Sequence, residues 1–247
     1  MPILILLTGL LLAPAAALAG EAGCVYEYSG TAQILKPGSD SWQSVSKGQP
    51  LSEGDKLRTG EKAWCEILLK EGTFVKLETE TEASVEELKL APVSRSCSFR
   101  LLRGKALWMA AKLKSTIESK FEVLTPSAVC AVRGTDFSII VSSKGATTLG
   151  LFEGQVTVSS PEGKEQKKEV LAGNEAFAEA GGVTVQEKLS GVMQAEKRRY
   201  ERLKKRVESL RKRLAERDSF IDDYINRQQK KISDFETRRA KKIKNRR

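Results

Sequence analysis

The stretch TPSAVCAVRGTDFSI, residues 125–139, sets Arg133, Gly134, Thr135 and Asp136 side by side between two apolar runs, the look of a catalytic loop. A second candidate is LETETEASVEEL, residues 77–88, whose carboxylates at 78, 80, 82, 86 and 87 could supply a glycosidase pair or a calcium site. Trp42, Trp64 and Trp108 could form a carbohydrate platform. The chain has no histidine, however. Ser-His-Asp and Cys-His pairs, an imidazole general base and a His-ligated zinc are therefore excluded.

Turn chemistry accounts for each residue of the Arg-Gly-Thr-Asp loop. Gly134 can take the positive φ of a tight turn or bulge. Thr135 and Asp136 can bond nearby backbone groups, and Arg133 can satisfy turn carbonyls or a carboxylate. Alternation puts residues 78, 80 and 82 on one solvated strand face, Gly54 and Asp55 form another turn, and the tryptophans fit core packing. The expectation is a structural loop in a protein that is not an enzyme and carries no cofactor or metal.

The elements that would hold this loop are short. From residue 23 to 187 the chain alternates apolar runs of strand length with turns built on Gly72, Gly104, Gly154 and Gly173, as in AWCEILLKEGTFVKLETE, SFRLLRGKALWM and TTLGLFEGQVTVSS. This predicts an all-β domain of stacked hairpins, of solenoid or sandwich type. Residues 110–120 could add a short helix. From 190 to 247 the pattern changes: there is neither Gly nor Pro after Val192, and Tyr200, Leu203, Val207, Leu210 and Leu214 recur at intervals of 3 and 4. That is a heptad seam on a long helix; Arg217 fills the next slot and the phase drifts beyond Ile221. Charge divides at the same place. Residues 188–247 hold 22 Lys and Arg against 9 Asp and Glu, while residues 1–187 hold 20 against 23.

The N-terminal run from Ile3 to Leu12, followed by Pro14 and Ala17-Leu18-Ala19, predicts a cleaved signal peptide over residues 1–19. No later run is long and apolar enough to span a membrane, so the expected location is periplasmic or secreted. Export would place Cys24, Cys65, Cys97 and Cys130 where disulfides persist. Their spacings of 41, 32 and 33 residues match no metal clip, and two bridges of unknown pairing or buried thiols both remain open.

The β part resembles the FecR domain of bacterial exported and envelope proteins. The resemblance runs from about residue 28 to 160. It rests on Trp42, on the turn from Leu51 through Gly54, Asp55, Thr59 and Gly60, and on Glu71-Gly72-Thr73. It continues through Thr125, Pro126, Ala128, Val132, Arg133, Gly134, Thr135 and Phe137 to Glu153-Gly154-Gln155-Val156. The resemblance implies an all-β envelope module without enzymatic activity, which in some members relays a signal from an outer-membrane receptor to a sigma factor. This chain departs from that plan, with no cytoplasmic N-terminal region and no internal membrane helix. The sequence therefore reads as an extracytoplasmic scaffold that binds a protein or cell-wall component. Its basic helix would self-associate, dock a partner or bind an anionic membrane surface. Export argues against nucleic acid.

Overall fold

The structure, a computed structural model, describes residues 22–91, 94–112, 118–162 and 167–244, with helix side chains described as far as Arg217. The expected signal peptide lies outside these residues. Eight strands form the first half: β1 (Gly23–Ser29), β2 (Ala32–Leu35), β3 (Gln43–Ser44), β4 (Lys56–Thr59), β5 (Trp64–Leu69), β6 (Phe74–Leu77), β7 (Glu82–Leu90) and β8 (Ser94–Met109). The second half is β9 (Glu118–Leu124), β10 (Val129–Val132), β11 (Asp136–Val141), β12 (Thr147–Glu153), β13 (Gln155–Ser159), β14 (Lys168–Leu171), β15 (Glu175–Glu179) and β16 (Gly182–Gln186). Helix α1 (Gly191–Lys244) follows. Residues 118–120 belong to β9, and 113–117 lie outside the described residues, so the short helix expected at 110–120 is replaced at its end by strand.

The strands make two sheets that share β8 and do not close. Sheet I runs β1-β5-β6-β8-β11-β12-β15-β16, and sheet II runs β3-β2-β4-β7-β8-β9-β10-β13-β14. Gly104 was expected to turn the chain back, but β8 continues through it. Residues before it pair with β7 and β9, and residues after it pair with β6 and β11. A strand that changes sheets needs a sharp bend, and Gly104 supplies it at φ +88°. A Cβ there would lie 2.5 Å from the Thr81 Cα. In the second half, successive hairpins alternate between the sheets, β9–β10 and β13–β14 in sheet II, β11–β12 and β15–β16 in sheet I. The expected stacking of hairpins is thus a sandwich.

Between the sheets lies one core. Ile67, Val75, Trp108, Phe137 and Leu151 enter from sheet I, and Ile34, Leu57, Phe99, Val123 and Val156 from sheet II. Trp108 stacks on Phe137 at 6.2 Å between ring centres and meets Phe99 at 5.3 Å. The other two tryptophans are half-buried elsewhere, Trp42 under the Arg58 guanidinium and Trp64 under the Lys76 ammonium. No platform of three tryptophans forms.

Strand register sets the four cysteines apart. Cys24 is opposite Leu68, Cys65 opposite Tyr28 and Leu77, Cys97 opposite Leu88 and Phe121, and Cys130 opposite Val123 and Val158. No cysteine faces another, and Cys65, Cys97 and Cys130 are buried thiols that burial pushes up to about 12. Thiolate is the reactive form. These three should therefore resist iodoacetamide at pH 8 in the native chain and react once it is denatured. Rapid native labelling of all three, counted by mass spectrometry, would contradict the burial.

Candidate functional site

The Arg-Gly-Thr-Asp loop is the corner at which the chain leaves β10 in sheet II and enters β11 in sheet I. Gly134 makes the corner at φ +60°. The next corner, Glu153-Gly154 between β12 and β13, stacks directly on it, for a Cβ on Gly154 would fall 2.5 Å from the Thr135 Cγ2. Thr135 therefore acts by its methyl group. Its buried hydroxyl has no hydrogen bond among the described residues, contrary to the expected backbone bond. Arg133 is exposed and borders a shallow groove of about 450 Å³ on the outer face of sheet II, with Lys120, Glu122, Gln155 and Thr157. Phe137 is fully buried.

The opposite end of β10 is closed by Thr125-Pro126-Ser127-Ala128. The Thr125 Oγ1 accepts from the Ala128 N–H at 2.9 Å and from the Thr147 hydroxyl at 2.8 Å. Ser127 donates to the Ala178 carbonyl at 2.9 Å. A hairpin turn of sheet II is thereby tied to β12 and β15 of sheet I. Gly54 and Asp55 also form the expected turn: the buried Asp55 carboxylate accepts from the Ser52 N–H and from Lys36, at 2.8 and 2.7 Å. Thr59 accepts from the Thr81 N–H at 3.0 Å, and Gly60 donates to Thr31 at 2.8 Å. Gly72 closes the β5–β6 hairpin at φ +91°. The acidic candidates do not gather: Glu78 and Glu80 lie beyond β6 rather than on one strand with Glu82. Glu82 and Glu86 pair with Arg103 and Arg100, and Glu87 with Lys89.

What the corners do gather is the helix. Asp136 and Glu153 are strand partners at the ends of β11 and β12 in sheet I, and both face α1. Tyr200 donates from its hydroxyl to the Asp136 Oδ2 at 2.9 Å, its ring stacked on Phe152, and Lys204 pairs with Glu153. Farther along, Arg206 reaches Glu66 at 2.5 Å, and one turn before Tyr200 Glu196 meets Lys105 of β8 at 2.9 Å. Arg211 donates to the carbonyls of Gly72 and Met109 at 2.9 and 2.6 Å. At the start of the helix, the Ser190 N–H donates to the buried Glu175 at 2.7 Å.

Apolar packing fills the space between these contacts. Met193, Tyr200 and Val207 bury against Phe74, Leu107, Met109 and Phe152 on the outer face of sheet I. Gly150 lets the helix approach, since a Cβ there would stand 2.7 Å from the Met193 Sδ. The seam expected to face a second helix is thus occupied in this chain: Tyr200, Val207 and Leu210 are buried, and Leu203 and Leu214 half-buried. Ile221 lies beyond the described side chains. Full burial of a side chain of this size contributes about 1.5–3 kcal/mol. The signal in the sequence was continuous rather than alternating hydrophobicity. DFSIIV and ALWM are buried on both faces because the core lies on one side and the helix on the other, whereas β10 and β13 of sheet II alternate.

The acid pair gives the seam a pH dependence. Burial is the largest influence on Asp136 and raises its carboxyl above the ordinary value, against the pull of the Tyr200 hydroxyl and the Arg211 charge. The stabilisation that comes with a raised carboxyl is full below the unfolded value and is lost as pH rises through the folded one. Glu153 is opposite. The Lys204 hydrogen bond lowers it, so its contribution is present above the unfolded value and lost as pH falls through the folded one. Asp136→Asn, which keeps an acceptor for Tyr200, should therefore raise Tm at pH 7, with the gain shrinking toward pH 3. Glu153→Gln should lower Tm at pH 7, with the deficit closing over the same range. An Asp136→Asn change in Tm that is negative and independent of pH would contradict this account of the buried carboxyl.

Residues 55–157, from β4 through β13, match the FecR protein family. The match contains both corners and the β9–β10 turn. No curated protein matches the chain. Two crystal structures of a candidate anti-sigma factor from Parabacteroides distasonis, at 2.50 and 1.65 Å, are similar to it at 17% identity and a TM-score of 0.44. The similarity covers 54% of this chain and 59% of that protein.

Proposed function

We propose that this chain, which carries a FecR domain over residues 55–157, is a non-enzymatic extracytoplasmic scaffold of the bacterial cell envelope. Its part would be to bind an envelope protein or cell-wall component and to hold a basic helix in a fixed direction. The observation that carries the reading is the docking of α1 from Met193 to Arg211 on sheet I, which makes the helix part of the module. At about 1.5 Å per residue, 54 residues reach roughly 80 Å, about twice the diameter of a β domain of this size. The helix must overhang the module. The groups that look catalytic, Asp136, Glu153, Tyr200 and Lys204, fasten the helix. Burial raises the Tyr200 phenol, as suits a donor rather than a base.

A second reading is favoured by the end of the helix. Residues 238–247 hold seven Lys and Arg and no acidic residue, a charge that suits an anionic membrane or cell-wall polymer. No helix of the described residues is long and apolar enough to cross a membrane. Participation in an envelope signal relay fits either reading.

Co-sedimentation with isolated cell envelopes tests the proposal, using the full chain and one ending at Arg211. The full chain should sediment with envelopes, at low and high salt if a protein partner is bound and at low salt only if the basic end is the contact. Failure of both chains to sediment would sink the scaffold reading.

A further inference from the structure

The distal helix carries a seam of its own, and it is out of phase with the docked one. The docked seam ends 207, 210, 214, so its next slot is 217, which is Arg. From Leu214 onward Ile221, Ile225, Ile232 and Phe235 fit slots at 214, 218, 221, 225, 228, 232, 235 and 239, with Ile225 and Ile232 marking the shift and Phe220, Tyr224 and Ile243 beside the seam. Passing from one seam to the other takes two steps of four, either 210 to 214 to 218 or 217 to 221 to 225, because Leu214 and Ile221 lie on both. A step of that kind is a stutter, which shifts a helix from one packing surface to another. It falls after Arg211, which holds the Gly72 and Met109 carbonyls. The change of phase therefore lies beyond the surface on which the helix docks.

We propose that residues 214–239 form a parallel two-stranded coiled coil with a second copy of this chain. The proposal rests on the reading of α1 as a fixed arm. The residues flanking the shifted seam select both partner and direction. Arg217 and Lys231 precede the slots at 218 and 232, and Asp222 and Glu236 follow the slots at 221 and 235. In a parallel pair, the residue before one slot meets the partner residue five positions on. Arg217 then faces Asp222 of the second copy, and Lys231 faces its Glu236; two-fold symmetry doubles each pair. An antiparallel pair would set basic flank against basic flank. Ile225 and Ile232 occupy the position where β-branched side chains favour two strands. Asp218, Gln228 and Arg239 interrupt the seam, so the association is weak and concentration-dependent, with polar slots that fix register. The result is a pair of FecR modules at one end of a shared basic rod.

Sedimentation equilibrium of the full chain over a hundredfold range of concentration tests this. The mass should rise from one chain toward two, and Ile225→Asp with Ile232→Asp should hold it at one chain with the thermal unfolding of the β module unchanged. Lys231→Glu should weaken association at least tenfold, and adding Glu236→Lys to it should restore the affinity, because the exchanged pair again attracts. A parent chain that is monomeric throughout overturns the proposal. So does association that persists in the Ile225→Asp, Ile232→Asp chain, or that needs anionic vesicles. Because these outcomes are read without envelopes, a failed dimer is distinguishable from a failed scaffold.

Discussion

Gly104→Ala is expected to destabilise the protein by on the order of 3–6 kcal/mol, combining backbone strain with overpacking. The residue sits at φ +88°, where a side chain is strained, and its new Cβ would press on fixed atoms: the Thr81 Cα and Oγ1 at 2.5 Å and the Glu80 carbonyl at 2.7 Å. Thr81 cannot retreat without loss. Its hydroxyl donates to the Lys105 carbonyl at 3.1 Å and accepts from the Lys105 N–H at 2.9 Å, bonds that stitch β8 at its passage between sheets. Gly38→Ala is the control, since Gly38 has φ +75° with no atom within 4 Å of a new Cβ and so isolates the backbone cost. For a domain of this size about 2–4 °C of Tm is lost per kcal/mol. The expected drop is therefore on the order of 10 °C or more for Gly104→Ala and a few degrees for Gly38→Ala. Equal drops would mean that β8 does not bend against Thr81.

Val207→Asp is expected to detach the helix. Val207 is fully buried against Phe74 and its neighbours, and an ionised carboxylate left unpaired there costs about 3–5 kcal/mol. Undocking would avoid that cost but would expose Phe74, Leu107, Met109 and Phe152 together. The expected signature is a lower Tm together with new binding of a hydrophobic dye. Ser209→Asp adds the same charge at an exposed helix position and should change stability by no more than about 0.5 kcal/mol. If both variants behave alike, the helix is not packed as described.

Much of this architecture was legible in the residues. The glycine punctuation located the turns at Gly54, Gly72 and Gly154, and the change in periodicity located the helix, because local backbone needs and burial act on near neighbours. The heptad seam was legible too, as a pattern. What it packs against was not, since a 3-4 repeat of apolar residues records one buried stripe and not the surface that buries it. Gly104 misled for a related reason. Positive φ serves a reversal and a change of sheet equally well, and only the pairing of β8 with four neighbours distinguishes them. The candidate site was half visible. Asp136 and Glu153 stand in recognisable turns, but their partners Tyr200 and Lys204 lie 64 and 51 residues away in sequence. The cysteines carried no readable pairing, because which residues they lie opposite follows from a strand register that only the folded sheets define.

The central claim is that α1 from Met193 to Arg211 belongs to the β module. Hydrogen exchange of the full chain at two protein concentrations tests it most directly. The amides of residues 196–210 should exchange as slowly as those of β11, and equally slowly at both concentrations, because the packing is within one chain. Exchange as fast as an isolated basic helix, or protection that appears only at the higher concentration, would contradict the claim.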